Sequence, residues 1–342
     1  MVFLSQDFLA GNLDDTAVSA LSHLRELTPF CRVLGSYARD STLTGPINDT
    51  LAALTRSAIG QVRGDVVKVG DALFCPPRET SRRGVTATKP LKIGVIGFGK
   101  FGQFIAETFS KDHDVFAMGR GDHTIAAREL GVQFYRQFEL ANFFAHDIDV
   151  VVFAVSILSF EEVVKSIPPG FLQGKLVVDV LSVKIHAKET LLEILPEGSD
   201  ILCTHPMFGP ESGASGWGGL PFLYDRVRIA DHARAADFLS IWETERCKMV
   251  EMSCELHDKY AANTQFITHL MGRILGKQGL SRTPIDTQGF SSALRLMETT
   301  CADSFELFYG LFRYNPHSHT QLRKLRDSFA EVERQVRLRR VF

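Results

Sequence analysis

The sequence predicts an α/β fold, a largely parallel sheet with helices on both faces, followed by an all-helical region. Three observations predict it. Short β-branched runs alternate with helical segments from Leu91 to about residue 230, a glycine-rich turn joins the first of these strands to the first helix, and beyond about Asp231 the strand signal fades into amphipathic helical periodicity.

Taken in order, residues 1–90 show little sustained periodicity, with a short helical-looking piece at Thr16–Leu27 and a Pro/Arg-rich exit at Pro76–Pro90. They are expected to form a leader or weakly ordered N-terminal extension, although Asp7, Asp14, Asp15 and Glu26 depart from the acid-poor composition of a generic transit peptide. From Leu91, the runs Lys92–Ile96, Val115–Met118, Val150–Val155, Leu176–Val180, Ile201–Thr204 and Val227–Ile229 read as buried strands. Amphipathic helices are predicted at Ala233–Arg246, Glu255–Leu275, Phe290–Phe312 and Gln321–Arg339. The predicted organisation is an extension (1–90), an α/β dinucleotide-binding domain (91–230) and a helical substrate and dimerisation domain (231–342).

Composition narrows the partners. At 342 residues and 45% hydrophobic content the chain can bury more than one core, and a net charge of -2 gives no surface for nucleic acid or an anionic membrane. The longest apolar stretch, Ile148–Phe160, is too short to span a bilayer, so a soluble protein is expected. Cys31, Cys75, Cys203, Cys247, Cys254 and Cys301 are scattered without metal-ligand spacing, which predicts reduced thiols and no metal.

Gly97, Phe98, Gly99, Lys100, Phe101 and Gly102 follow the strand ending at Ile96 and open a helix. In this pattern the first glycine permits a tight turn, the second admits a pyrophosphate, and the third lets helix and strand pack closely. The helix N-terminus then stabilises the anion. This makes the α/β domain Rossmann-like. The end of the next strand reads Phe116, Ala117, Met118, Gly119, Arg120, where an NAD enzyme would place a carboxylate for the ribose hydroxyls. Arg120 instead suits a 2′-phosphate, so NADP is the expected cofactor. Asp122 is a later candidate for the ribose.

The run His205, Pro206, Met207, Phe208, Gly209, Pro210, Glu211 joins an imidazole to a turn and a carboxylate at a predicted strand end. Ligands of open α/β sheets sit beyond such ends, and imidazole titrates near neutrality, so His205 is the candidate base. Ser182 and Lys184 follow the preceding strand and face the same cleft, where a serine would otherwise cap a helix. Glu211, read from its position alone, would open a helix as a first-turn carboxylate.

Four segments in order, Asp179–Lys184 (DVLSVK), Leu202–Glu211 (LCTHPMFGPE), His257–Arg273 (HDKYAANTQFITHLMGR) and Asp303–Asn315 (DSFELFYGLFRYN), resemble the plant-type arogenate dehydrogenases of the prephenate/arogenate dehydrogenase family. The resemblance spans Leu91 to about Val336. It implies NADP-dependent oxidative decarboxylation of a cyclohexadienol to an aromatic product, tyrosine when the substrate is arogenate, with His205 as catalytic base. Ser182 would hydrogen-bond both the substrate hydroxyl and His205, and Lys184 would neutralise a substrate carboxylate or cofactor phosphate. Arg295 aligns with the family's carboxylate-binding arginine, with Arg273 as a second candidate. His257, Gln265 and His269 are expected on one face of one helix lining the cleft, and Glu211 at its mouth. A homodimer through the helical domain and a plastid location are also implied, while the acid content of the first ninety residues leaves the cytosol open.

Three alternatives stay in view. Prephenate, giving 4-hydroxyphenylpyruvate, competes as substrate because the loop Ser212–Trp217 departs from the plant pattern near Ser215. A β-hydroxyacid or imine-reducing dehydrogenase would be expected to carry a catalytic lysine in a helical motif that Lys259 and Lys277 lack. A cofactor-binding regulator would not need His205 and Ser182.

Overall fold

The structure, a computed structural model, describes Val67–Val69, Ala72–Phe74 and residues 90–339. The chain divides into two compact units, 1–79 and 80–342. In the first, β1 (Val67–Val69) and β2 (Ala72–Phe74) form an antiparallel pair with Val67 opposite Phe74. The rest of the expected extension, including Thr16–Leu27, lies outside the described residues.

The second unit is built on an eight-stranded sheet. Its strands are β3 (Lys92–Ile96), β4 (Asp114–Gly119), β5 (Gln133–Arg136), β6 (Val150–Phe153), β7 (Leu176–Asp179), β8 (Asp200–Pro206), β9 (Pro221–Arg228) and β10 (Lys248–Glu251), in the spatial order β10-β9-β8-β7-β6-β3-β4-β5. Six strands from β5 to β8 run parallel in doubly wound order, and β9 joins β8 antiparallel. Connecting helices are α1 (Lys100–Phe109), α2 (Thr124–Glu129), α3 (Leu140–Phe144), α4 (Phe160–Ser166), α5 (Ile185–Ile194) and α6 (His232–Thr244).

Alternation along the central strands explains why both faces are covered. Ile93, Val95, Val150, Val152, Leu176, Val178 and Leu202 point into one core with Phe109 of α1 and Phe238 and Trp242 of α6. Ile96, Val151, Phe153, Val177, Ile201 and Cys203 point into the other with Phe160 of α4 and Leu191 of α5. Strands buried on both sides read as continuous apolar runs.

The structure corrects the expected domain boundary at 230/231. After α6 the chain returns to the sheet as β10, which pairs parallel with β9, Lys248 opposite Pro221. The change to an all-helical chain therefore comes after Glu251. There follow α7 (Cys254–Asn263), α8 (Gln265–Lys277), α9 (Gln288–Ala302), α10 (Phe305–Tyr314) and α11 (Ser318–Leu338). Cys254, Phe266 and Leu311, from α7, α8 and α10, enter the second core beside the sheet residues. Two long predicted helices are each divided. Thr264 leaves helical geometry at φ -117°, ψ -80°, and Ser304 caps α10 by accepting a hydrogen bond from the Leu307 amide at 3.1 Å. Among the described residues no helix is long and apolar enough to cross a membrane.

Candidate active site

The glycine turn is shaped as its spacing predicts. Gly97 sits at φ +101°, a conformation costly for any residue with a Cβ, and its amide donates to the Met118 carbonyl at 2.8 Å. A Cβ on Gly102 would stand 2.0 Å from the Gly97 carbonyl oxygen, so α1 packs directly on the turn. A Cβ on Gly99 would meet nothing, and no side chain caps α1 there. The first amides of α1 thus face open space with the positive end of the helix dipole behind them, which suits a pyrophosphate. Lys100 is exposed at the first position of α1, Phe101 packs on Phe104 with ring centroids 6.0 Å apart, and the buried Phe98 packs on Phe134 at 5.8 Å.

A cavity of about 360 Å³ lies against this turn, lined among others by Gly97, Gly99, Gly119, Arg120, His123, Gln137 and Ser156. None of its lining residues is a carboxylate. Arg120 is exposed beside it and forms no ion pair with any described residue. Asp122, the later ribose candidate, is engaged locally. Its carboxylate accepts from the Thr124 hydroxyl at 2.7 Å and amide at 3.1 Å, which hold it below the usual carboxylate range, and lies 3.6 Å from Arg136.

His205 lies near the C-terminal end of β8. Its neighbour β7 ends with Asp179 opposite Cys203, so His205 extends past β7 on the same sheet edge from which the glycine turn leaves β3. The imidazole is 3% exposed, and its Nδ1 stands 2.8 Å from Nε2 of His257 on α7. Burial pushes the His205 pKa well below the ordinary value, and the nearby Lys184 ammonium pushes the same way. A neutral imidazole at physiological pH is competent to accept a proton.

The strand-end segment before it resolves two expectations differently. Lys184 does not face a ligand. Its ammonium is fully buried, donates to Asp179, and reaches the Thr204 carbonyl at 2.5 Å. A lysine sealed in this way neutralises Asp179 and braces β7 against β8, so the expected role with a substrate carboxylate or cofactor phosphate is corrected. Ser182 is half-buried in the same connection and makes no hydrogen bond to His205. The partner of His205 is His257, a residue that the sequence placed on the cleft face without giving it this contact.

Asp258, adjacent to His257, was not singled out from sequence. Its carboxylate accepts from His257 Nδ1 at 2.7 Å and from the amides of Lys184 at 2.8 Å and Ile185 at 2.9 Å, at the start of α5. The side-chain amide of the buried Asn315 donates to its carbonyl at 2.8 Å. The available signal was that His257 and Asp258 share the helix face of Cys254, Ala261 and Ala262, the small apolar residues that are buried with them, because a carboxylate is fully buried only with partners.

The remaining candidates are more dispersed. Gln265 and His269 lie on α8 rather than on the helix of His257, because the chain breaks at Thr264. They keep the i, i+4 relation, and the Oε1 of Gln265 and Nδ1 of His269 are buried without hydrogen-bond partners among the described residues. Burial lowers the His269 pKa, opposed by Asp303, whose carboxylate lies 3.8 Å away. Arg273 is committed to structure. Its guanidinium donates to the carbonyls of Asp303 and Ser304 at 2.8 and 2.9 Å and lies over the Phe308 ring at 5.1 Å. Arg295 on α9 is exposed, with no hydrogen bond from its guanidinium to a described residue. Glu211 is exposed in a turn, and no helix follows it, so the helix-opening alternative falls.

A doubly wound sheet whose glycine turn is open to an anion, with a neutral imidazole on the same edge, defines a dinucleotide-dependent dehydrogenase carrying a helical C-terminal region. Comparison with known proteins narrows this class. The prephenate dehydrogenase nucleotide-binding domain matches residues 110–226, and the TYRAAT1-like C-terminal domain matches residues 274–340. Arogenate dehydrogenase 2, chloroplastic, of Arabidopsis thaliana is 46% identical over 291 residues, 77% of this chain and 79% of that protein. Arogenate dehydrogenase 1, chloroplastic, of the same plant is 47% identical over 252 residues, 72% of this chain and 39% of that longer protein. The chain belongs to the plant-type arogenate dehydrogenases of the prephenate/arogenate dehydrogenase family. A solved prephenate dehydrogenase from A. aeolicus, in complex with hydroxyphenyl propionate and NAD+, shares the fold at a TM-score of 0.60 and 18% identity, covering 73% of this chain and 92% of that one. The chloroplastic names of both plant relatives agree with the plastid location implied by the sequence resemblance.

Proposed function

We propose that the chain catalyses NADP-dependent oxidative decarboxylation of arogenate to tyrosine. The observation that carries this reading is the neutral, buried His205 at the C-terminal sheet edge beside the glycine turn, in a chain 46% identical to an arogenate dehydrogenase. The turn at Gly97, Gly99 and Gly102 and the first amides of α1 would hold the pyrophosphate, and Arg120 the 2′-phosphate. When bound, NADP supplies the acceptor for the hydride that leaves the carbon bearing the hydroxyl.

His205 takes the hydroxyl proton at Nε2 as the carbon–oxygen double bond forms, which removes the charge that would otherwise build on that oxygen. The bond to the ring carboxylate then breaks and CO2 departs; its electron pair shifts through the ring to the carbonyl oxygen, which takes the proton back from His205 as the aromatic phenol forms. Ser182, half-buried on the same edge, positions the hydroxyl. Gln265 and His269 offer unpartnered polar atoms on one face of α8 to the rest of the substrate, and Arg295 and Glu211 complete the recognition of its charged groups. Water is excluded by the packing that already covers His205. Competition between arogenate and prephenate at equal concentration tests the substrate assignment: arogenate should be consumed with the higher kcat/KM, and preference for prephenate overturns it.

Choice of NADP rests on Arg120 together with the absence of any carboxylate lining the cavity. Replacing Arg120 with alanine is expected to raise the KM for NADP by about tenfold or more, the worth of a charge-assisted hydrogen bond, with little effect on NAD. An unchanged NADP/NAD ratio would remove Arg120 from cofactor selection.

A homodimer is supported by α11. Leu322, Leu325, Phe329, Val332 and Val336 recur at alternating spacings of three and four, the pattern of a helix that packs along a partner helix. Phe329, Val332 and Val336 are 73%, 60% and 55% exposed, more apolar surface than a lone helix leaves in water. Light scattering at micromolar concentration should give twice the chain mass, and Phe329→Glu should give the monomer.

A further inference from the structure

We propose that His257 and Asp258 fix the tautomer of His205 and are positioning residues for its proton transfer, an inference that rests on the role given to His205 above. The argument follows the hydrogen bonds outward from the carboxylate. Asp258 Oδ1 lies 2.7 Å from His257 Nδ1, and a carboxylate only accepts, so His257 carries a proton on Nδ1. In neutral His257 this leaves Nε2 as a bare lone pair. Nδ1 of His205 stands 2.8 Å from it, and two lone pairs cannot share a hydrogen bond, so the proton between the rings belongs to His205 Nδ1. The Nε2 of His205 is then left unprotonated and makes no hydrogen bond to a described residue. The base is thereby presented to a reactant in its active tautomer.

The chain of contacts also accounts for a neutral base that tolerates becoming charged. All three side chains are buried, at 3%, 2% and 0% exposure, so an isolated imidazolium there would be costly. When Nε2 of His205 takes the hydroxyl proton, the cation it forms already donates Nδ1–H to His257, with the Asp258 charge one ring further on. Asp258 in turn is held by the Lys184 and Ile185 amides at the N-terminus of α5, where a carboxylate is favoured, and by Asn315 through its carbonyl. One carboxylate therefore anchors the connection that carries Ser182, the start of α5 and the base itself. Helix α7, which lies beyond the sheet in sequence, is part of the proton-transfer apparatus.

The test uses the full chain. In cofactor-free protein with ¹⁵N-labelled histidine rings, the His205 resonances, assigned by their loss in His205→Asn, should show a protonated Nδ1 and a bare Nε2. His257→Leu removes the acceptor and should yield a mixture of tautomers, a kcat lowered by about 100-fold, and an NADP dissociation constant unchanged within about threefold. His257→Gln restores an accepting oxygen and should recover kcat to within about tenfold of wild type. Asp258→Asn allows an amide to donate to His257 and reverse both tautomers, placing the His205 proton on Nε2 and lowering kcat at least as far as His257→Leu does. If that variant fails to fold because α5 loses its cap, the His257 pair and the wild-type spectrum still decide. A wild-type His205 protonated at Nε2, or a His257→Leu enzyme with kcat within about threefold of wild type, overturns the proposal. The spectrum needs no substrate, so a chain inactive on arogenate would defeat the functional reading while leaving the tautomer assignment to stand or fall separately.

Discussion

His205→Asn is expected to lower kcat by about 10²- to 10⁴-fold, the usual contribution of a positioned general base, with the NADP dissociation constant close to wild type. The separation of the two effects follows from the fold. His205 belongs to β8, whereas the glycine turn leaves β3, with β7 and β6 between them in the sheet. Asparagine retains a polar group of modest size that can still reach His257, so the strand keeps its packing and loses its proton acceptor. The same site predicts a pH profile. Because burial holds the His205 pKa well below 6.5, the imidazole is already neutral at physiological pH, and kcat should lose activity only as pH falls below 6.5. An acid limb centred above 6.5, or near-normal turnover in the asparagine variant, would remove His205 from this role.

Lys184→Met is expected to destabilise the fold by about 3–5 kcal/mol, the cost of leaving one member of a buried ion pair without its partner. Methionine replaces much of the lysine's volume, so the loss is electrostatic. Asp179 would keep its Leu181 amide contact at 3.1 Å, while its other oxygen already lacks a hydrogen-bond partner. The Thr204 carbonyl would also lose a donor. Urea denaturation reads the effect directly, and the double variant Lys184→Met, Asp179→Asn should recover part of it because the uncompensated charge is gone. Wild-type stability in the single variant would show that Lys184 faces solvent or ligand, as the sequence alone suggested.

That contrast shows where the sequence was legible. Strands β3, β4, β6, β7 and β8 announced themselves as β-branched apolar runs because both of their faces are buried. Strands β5 (QFYR) and β10 (KMVE) did not, because each closes an edge of the sheet and carries the polar residues an edge requires. The divided helices share a related cause. Apolar periodicity continues across Thr264 and Ser304, and only the serine cap three residues before Leu307 marked a stop. At the site, the glycine turn and His205 were legible because their chemistry is local in sequence. The contact of His205 with His257 joins residues 52 apart and depends on how α7 docks, which no spacing rule supplies. Lys184 misled for a similar reason. A lysine after a strand is ordinarily solvated, and only the fold reveals that Asp179 and Thr204 enclose it.

The central claim is tested most directly by the products formed when the full chain is given arogenate and NADP. The account predicts NADPH and tyrosine in a one-to-one ratio, both lost together in His205→Asn. NADPH formed without tyrosine, or no NADPH from arogenate under conditions where the chain is folded and binds NADP, would contradict it.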